Sequence, residues 1–163
     1  MSERSVEHAT IVIERRYPAS PERTFTAWAA AAAKARWMGV SEGGLELDFR
    51  VGGEERHRGT LPDGHVYAYQ AVYHDIVRPR RILYTYEMHL DDSRISISLA
   101  TVEFTPEHDG TRLVFTEQGA FLDGHEAPVR RDKGMGSLLD ALGKELQSEQ
   151  AATRTTDGQP RGR

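Results

Sequence analysis

The sequence predicts an α+β domain of two layers: about seven antiparallel strands curled around one long C-terminal helix, with two short helices after the first strand. Three observations carry this. Period-two alternation runs through residues 45–121 between turn signals. A helical apolar stripe of Met135, Leu138, Leu139, Leu142 and Leu146 follows it. A single β-rich segment, residues 8–17, stands ahead of two alanine-rich helical pieces. Hairpin-linked strands beside an amphipathic helix make a two-layer domain. The space between a twisted sheet and such a helix is a natural cavity.

The elements follow in order. In "HATIVIERRY", residues 8–17, Ile11 and Ile13 share one face of a strand. "PASPERTFTAWA" then starts a helix, with Ser20 as N-cap, Pro21 at the first helical position and Glu22 in the first turn. Phe25 and Trp28, three apart, share a face. "AAAAAKARWM" is a second helix, and Gly39 stops it.

"LELDFRV", residues 45–51, reads as a half-buried strand, and Gly52-Gly53 as a turn or bulge. "EERHRGTL" returns to a hairpin turn at "PDG", and "HVYAYQAVYHDIV" runs to "RPRR". "RILYTYEMHL" places Ile82, Tyr84, Tyr86, Met88 and Leu90 on one face. In "RISISLATVEF" the apolar phase slips from Ile95/Ile97/Leu99 to Val102/Phe104, which predicts a bulge near Ala100. "TRLVFTEQGAF" is the last strand. The expected organisation is an N-terminal extension over 1–7, one domain over 8–150, and a disordered tail over 151–163, which lacks apolar anchors.

Composition narrows the function classes. One domain fits 163 residues, and the net charge of −4 with a pI near 6.0 gives no basic surface for nucleic acid. Zero cysteines exclude disulfides, Cys-based zinc sites and a Cys nucleophile. The N-terminus has no signal-peptide pattern and no window suits a transmembrane helix, so a cytoplasmic protein without stable membrane insertion is expected. The seven histidines have no metal-ligand spacing. "GMGSLL" lacks a dinucleotide fingerprint, and no GxSxG elbow occurs. No cofactor and no metal is expected.

Several strings, in this order and spacing, resemble a known family: "YPASPERTFTAWA", "RWMG", "DFRVGGEERHRGTLPDG", "RPRRILYTYEM", "TVEFTPEHDGTRLVFTEQG" and "GMGSLLDALGKEL". The resemblance, over about residues 8–149, is to the helix-grip (START-like, SRPBCC) superfamily. Within it the chain is most similar to the Aha-like branch, named for the C-terminal domain of the activator of the heat-shock protein 90 ATPase. The resemblance implies that the two short helices sit at the mouth of a cavity. Where the branch often carries aromatics after the double glycine, this chain has Glu55 and His57. Where it often has Gly-Trp, this chain has Gly134-Met135.

Alternation gives the candidate ligand-binding residues. Phe49, His57, Tyr84, Tyr86, Met88, Phe115 and Glu117 fall on inward phases of the strands, with Leu47 and Leu113. Met135 and Leu139 face them from the helix, and Trp28 and Trp37 from the lid. A mostly apolar, aromatic wall with few polar groups suits a small hydrophobic ligand. The alternative is a filled core in which the same aromatics are anchors. An inward Glu117 needs a partner, and His57 or Glu55 could approach it from another strand. The other reading puts Glu117 near a strand end, reaching solvent. "RRDK" at 130–133 reads as an exposed helix start.

Three functions remain open at this stage. One is a carrier or sensor of a small hydrophobic, aromatic or lipid-like ligand. The second, implied by the resemblance, is a cochaperone-like partner of a heat-shock ATPase. The third is a cyclase- or hydratase-type enzyme using Glu117, His57 or a pocket tyrosine, which ranks below binding. A homodimer through an edge strand or the lid is also open.

Overall fold

The computed structural model describes residues 4–41 and 43–157, with side chains to residue 149. Its elements are β1 (Val6–Tyr17), α1 (Pro21–Ala29), α2 (Ala31–Met38), β2 (Leu45–Leu47), β3 (Glu54–Thr60), β4 (Val66–Val77), β5 (Arg81–Leu90), β6 (Ser93–Glu107), β7 (Gly110–Leu122) and α3 (Pro128–Asp157). The strands form one antiparallel sheet in the order β1-β7-β6-β5-β4-β3-β2. Seven antiparallel strands with a long C-terminal helix make the α+β helix-grip fold. The predicted domain end at 150 falls within α3, and the predicted tail lies partly on that helix and partly, over 158–163, outside the described residues.

The two short helices are separate because the chain breaks at Ala30 (φ −85°, ψ 122°). Alanine propensity alone favours one continuous helix. Tertiary packing overrides it: the turn brings Trp28 and Trp37 to 5.0 Å between ring centroids, and Trp37 Nε1 donates to the Ala27 carbonyl at 2.9 Å. The Ser20 hydroxyl accepts from the Arg23 amide at 3.2 Å, closing the start of α1. Gly39 ends α2 in the left-handed conformation, φ 70°.

Two strand expectations change. β2 spans three residues, not seven. After Leu47 the chain turns so that Asp48 N bonds Glu54 O at 2.9 Å, and Gly52 and Gly53 take over pairing with Tyr73 of β4. The bulge in β6 lies at Ile95, between the pairs Met88–Ser96 and His89–Arg94, and not near Ala100. From Ser96 onward β6 keeps one phase, so Ser96, Ser98, Ala100, Val102 and Phe104 point inward while Ile97 is exposed. Two serines stand on the buried face because buried charged groups across from them need hydrogen bonds.

The core sits at one end of the sheet–helix sandwich. Phe25 packs edge-on against Phe49 and Phe104, and Phe115, Leu113, Leu139, Leu142 and Leu146 complete the buried cluster. Tyr17 of β1 donates its hydroxyl to the Leu139 carbonyl at 2.7 Å, and Gly143 lets its ring lie close to α3. This fixes the C-terminal part of α3 on β1, α1 and α2. The first turns of α3 face a cavity instead.

Candidate functional site

The cavity encloses about 450 Å³, within the roughly 300–1,000 Å³ of small-molecule sites. One wall is sheet: His57 of β3, Tyr67 and Tyr69 of β4, Tyr84, Tyr86, Met88 and Leu90 of β5, and Ile95 of β6. The opposite wall is Arg130, Arg131, Gly134, Met135 and Leu138 of α3. Trp28, Lys34, Trp37 and Met38 close one end, and Leu61, Asp63, His125 and Glu126 come from loops.

The sheet wall is a ladder of rings. His57 stacks on Tyr69 at 4.5 Å, and Tyr69 on Tyr86 at 5.0 Å. Tyr67 meets His57 edge-on at 5.7 Å. Gly59 makes room for it, because a Cβ there would come within 2.5 Å of the Tyr67 ring. The inward face of β4 is Tyr67, Tyr69, Ala71 and Tyr73. Burial raises the pKa of Tyr69 and Tyr84 well above the ordinary phenol value, so both are neutral donors or acceptors.

Two buried charge clusters flank the cavity. At the lid end, Lys34 Nζ donates to Glu55 Oε1 at 2.5 Å and to the Tyr73 hydroxyl at 3.3 Å, and Tyr73 donates to the same carboxylate oxygen at 2.5 Å. The ammonium also lies 5.2 Å from the Trp28 ring centroid. His57 Nε2 stands 4.0 Å from Glu55 Oε2, beyond hydrogen-bond reach. Neither His57 nitrogen has a hydrogen-bond partner among the described residues. Burial lowers the His57 pKa, the nearby Glu55 opposes this, and the Lys34 charge adds to it.

At the α3 end, Arg131 is the hub. Its Nη1 donates to the Tyr86 hydroxyl at 2.9 Å and to Glu117 Oε2 at 3.0 Å. Its Nη2 donates to Ser96 Oγ at 2.8 Å and to the Glu126 carboxylate. Tyr86 donates to Glu117 Oε1 at 2.5 Å and Ser98 to Oε2 at 2.8 Å. Burial works against the Arg131 charge, but Tyr86, Glu117 and Glu126 outweigh it and hold its pKa above the ordinary value.

Of the residues singled out from the sequence, Trp28, Trp37, His57, Tyr84, Tyr86, Met88 and Met135 line the cavity. Phe49, Phe115, Leu139 and Glu117 do not. Phe115 and Leu139 are fully buried in the core, Phe49 packs on Phe25 and Tyr73, and Glu117 lies behind Tyr86 and Arg131. Glu117 is buried rather than reaching solvent, and its cationic partner is Arg131, not His57. Arg131 is correspondingly buried and not part of an exposed helix start. Sequence reading missed Tyr67, Tyr69, Lys34 and Arg131. The alternation of Tyr67, Tyr69, Ala71 and Tyr73 was present, but Val66, Ala68 and Val72 on the other phase hid it. Among the described residues, no group of three or more His, Asp or Glu could hold a metal ion, and no helix is long and apolar enough to cross a membrane.

Sheet, gripping helix and interior cavity together define a helix-grip protein. A family model described as activator of Hsp90 ATPase homolog 1-like protein matches residues 18–147, and the chain belongs to that family. Among solved structures, it is similar to an uncharacterized protein from Rhizobium leguminosarum, with 46% identity and a TM-score of 0.85, over 90% of this chain and 99% of that one. It is similar to the Mll3558 protein from Rhizobium loti, with 45% identity and a TM-score of 0.81, over 86% and 99%. A protein from Chromobacterium violaceum matches at 26% identity and a TM-score of 0.70, over 84% and 96%. No curated protein matches the chain.

Proposed function

We propose that the protein binds a small apolar or aromatic molecule in the cavity between sheet and α3, as a carrier or sensor. The observation that carries this is the about 450 Å³ cavity walled by stacked rings and by Met88, Met135 and Leu138. Such a wall offers a flat molecule ring faces and polarizable thioethers. Of the polar side chains in the wall, Arg131 and Lys34 are tied up in buried ion pairs, while His57 has no hydrogen-bond partner among the described residues. Both Glu117 oxygens are engaged by Tyr86, Ser98 and Arg131, which favours binding over acid–base turnover. A heat-shock ATPase as partner has the family description as its support, with no particular surface favouring it.

Native mass spectrometry of the purified protein, followed by a thermal-shift screen of fatty acids, flavonoids and simpler aromatics, tests the reading. A co-purified adduct or a stabilising compound is expected, since binding to the native state alone raises apparent stability. No adduct and no shift across the screen contradicts it.

A further inference from the structure

We propose that Glu126 is a displaceable stand-in for a ligand carboxylate, and that the cavity takes an aromatic carboxylic acid whose anionic end bonds Arg131. This rests on the cavity reading and specifies the ligand class.

The Arg131 guanidinium holds two carboxylates of unlike character. Glu117 is fully buried, sits in β7, and is held by Tyr86 and Ser98 as well. It belongs to the sheet. Glu126 lies in the turn between β7 and α3, and its side chain is 22% exposed. Its one hydrogen bond among the described residues is to Arg131 Nη2. It is also a wall residue of the cavity, beside Arg130 and Arg131. The turn that carries it starts with Asp123 (φ 56°) and Gly124 (φ 69°); Asp123 exchanges hydrogen bonds with Ser5, just ahead of β1, and the His125 amide donates to the Leu122 carbonyl of β7 at 3.2 Å. A short turn of this kind moves at lower cost than a strand.

The exchange is balanced in charge. A carboxylate entering from the cavity replaces one negative charge at Arg131 by another, and Glu126 swings into water, where it is well solvated. The aromatic body of the ligand lies along Tyr69 and Tyr86. Arg130, with no ion pair among the described residues, adds a second positive charge at the mouth, while Asp63 opposes it. An Arg–carboxylate bond at a buried site is charge-assisted and directional. In the unliganded protein Glu126 makes that bond itself, so it competes with any ligand acid at intramolecular concentration.

The test compares 2-naphthoate with 2-methylnaphthalene, which shares its rings but lacks the charge. Both are titrated into the full chain, its Glu126→Gln variant and its Glu126→Asp variant. The 2-naphthoate to 2-methylnaphthalene affinity ratio is expected to rise about tenfold in Glu126→Gln, the scale of one charge-assisted hydrogen bond. Glu126→Asp, which keeps the charge on a shorter stem, is expected to fall between. Loss of a nearby negative charge could raise the ratio without displacement, so a second readout is needed. In the wild-type protein the backbone amide signals of residues 124–127 should shift with 2-naphthoate and stay with 2-methylnaphthalene. An unchanged ratio, or unmoved amides with 2-naphthoate bound, overturns the displacement. If neither compound binds, the cavity reading fails, and this inference with it.

Discussion

The Arg131 guanidinium meets the Glu117 carboxylate at 3.0 Å across the seam between α3 and β7, and both side chains are buried. This pair ties the start of the gripping helix to the sheet, and its Arg131 member stands at the polar end of the cavity. Breaking a buried pair leaves one charge uncompensated, which costs about 3–5 kcal/mol. Arg131→Met should therefore destabilise the protein by about that amount. The double change Arg131→Met/Glu117→Gln should recover a large part, because no fully buried charge is left orphaned and the partly exposed Glu126 can turn to water. Denaturant unfolding of both variants checks this, and additive losses would contradict it.

The second buried pair docks the lid. Lys34 reaches from α2 to Glu55 of β3 and to Tyr73 of β4. Removing the ammonium in Lys34→Met strands the Glu55 carboxylate and should cost about 3–5 kcal/mol. The loss should be local as well as global. Amide hydrogen exchange in residues 31–38 should accelerate more than in β6 or β7. Uniform acceleration would mean that the pair does not hold the lid.

His57 gives stability a pH dependence of known sign. Burial puts its folded pKa below the ordinary 6.5. Between those two values the unfolded chain binds more protons than the folded one, so stability rises with pH. The contribution is complete above 6.5 and is lost as pH falls through the folded pKa. His65 acts oppositely: its hydrogen bond to Asp91 raises its pKa, and that contribution fades as pH rises through the raised value. The carboxylates of Glu14, Asp91 and Asp123 are lowered from 4.5 or 3.8 and titrate beneath this range. Comparing unfolding free energies at about pH 7.5 and about pH 5.5 isolates the effect. His57→Phe should lose less stability on acidification than wild type, and equal losses would refute the assignment.

Met135 faces the cavity from α3 and is half-buried. Met135→Trp should fill part of the space. Affinity for 2-methylnaphthalene should drop at least about tenfold, the scale of filling a site that accepts several methylenes, while the melting temperature holds or rises. Titration calorimetry beside a melting curve checks both halves. Unchanged affinity would place the ligand elsewhere.

The sheet, the gripping helix and the outer ends of the lid were legible in the sequence because each rests on a local signal, whereas the break at Ala30 is set by the packing of Trp28 on Trp37. Alternation marks the strands, the Met135–Leu146 stripe marks α3, and Ser20, Pro21 and Gly39 mark the helix ends. The site was only half legible. Tyr84, Tyr86 and Met88 followed from phase, since β5 holds one phase along its length. Lys34 and Arg131 did not, because propensity treats a lysine in an alanine helix, or an arginine in a charged run, as solvated. Their burial is set by carboxylates on other strands, Glu55 and Glu117, and no spacing along the chain encodes that pairing. The bulge was misplaced for the same reason. Ile95 and Ile97 suggested one apolar face, whereas Ser96 and Ser98 turn inward to serve Arg131 and Glu117.

The central claim is that a small aromatic molecule occupies the space between sheet and α3, and methionine methyl signals report on it most directly. Met38, Met88 and Met135 line the cavity from α2, β5 and α3. In protein labelled at the methionine methyls and titrated with 2-methylnaphthalene, all three signals should shift together and saturate at one ligand per chain. If they stay in place up to the solubility limit of the probe, the cavity does not bind aromatic molecules and the account is wrong.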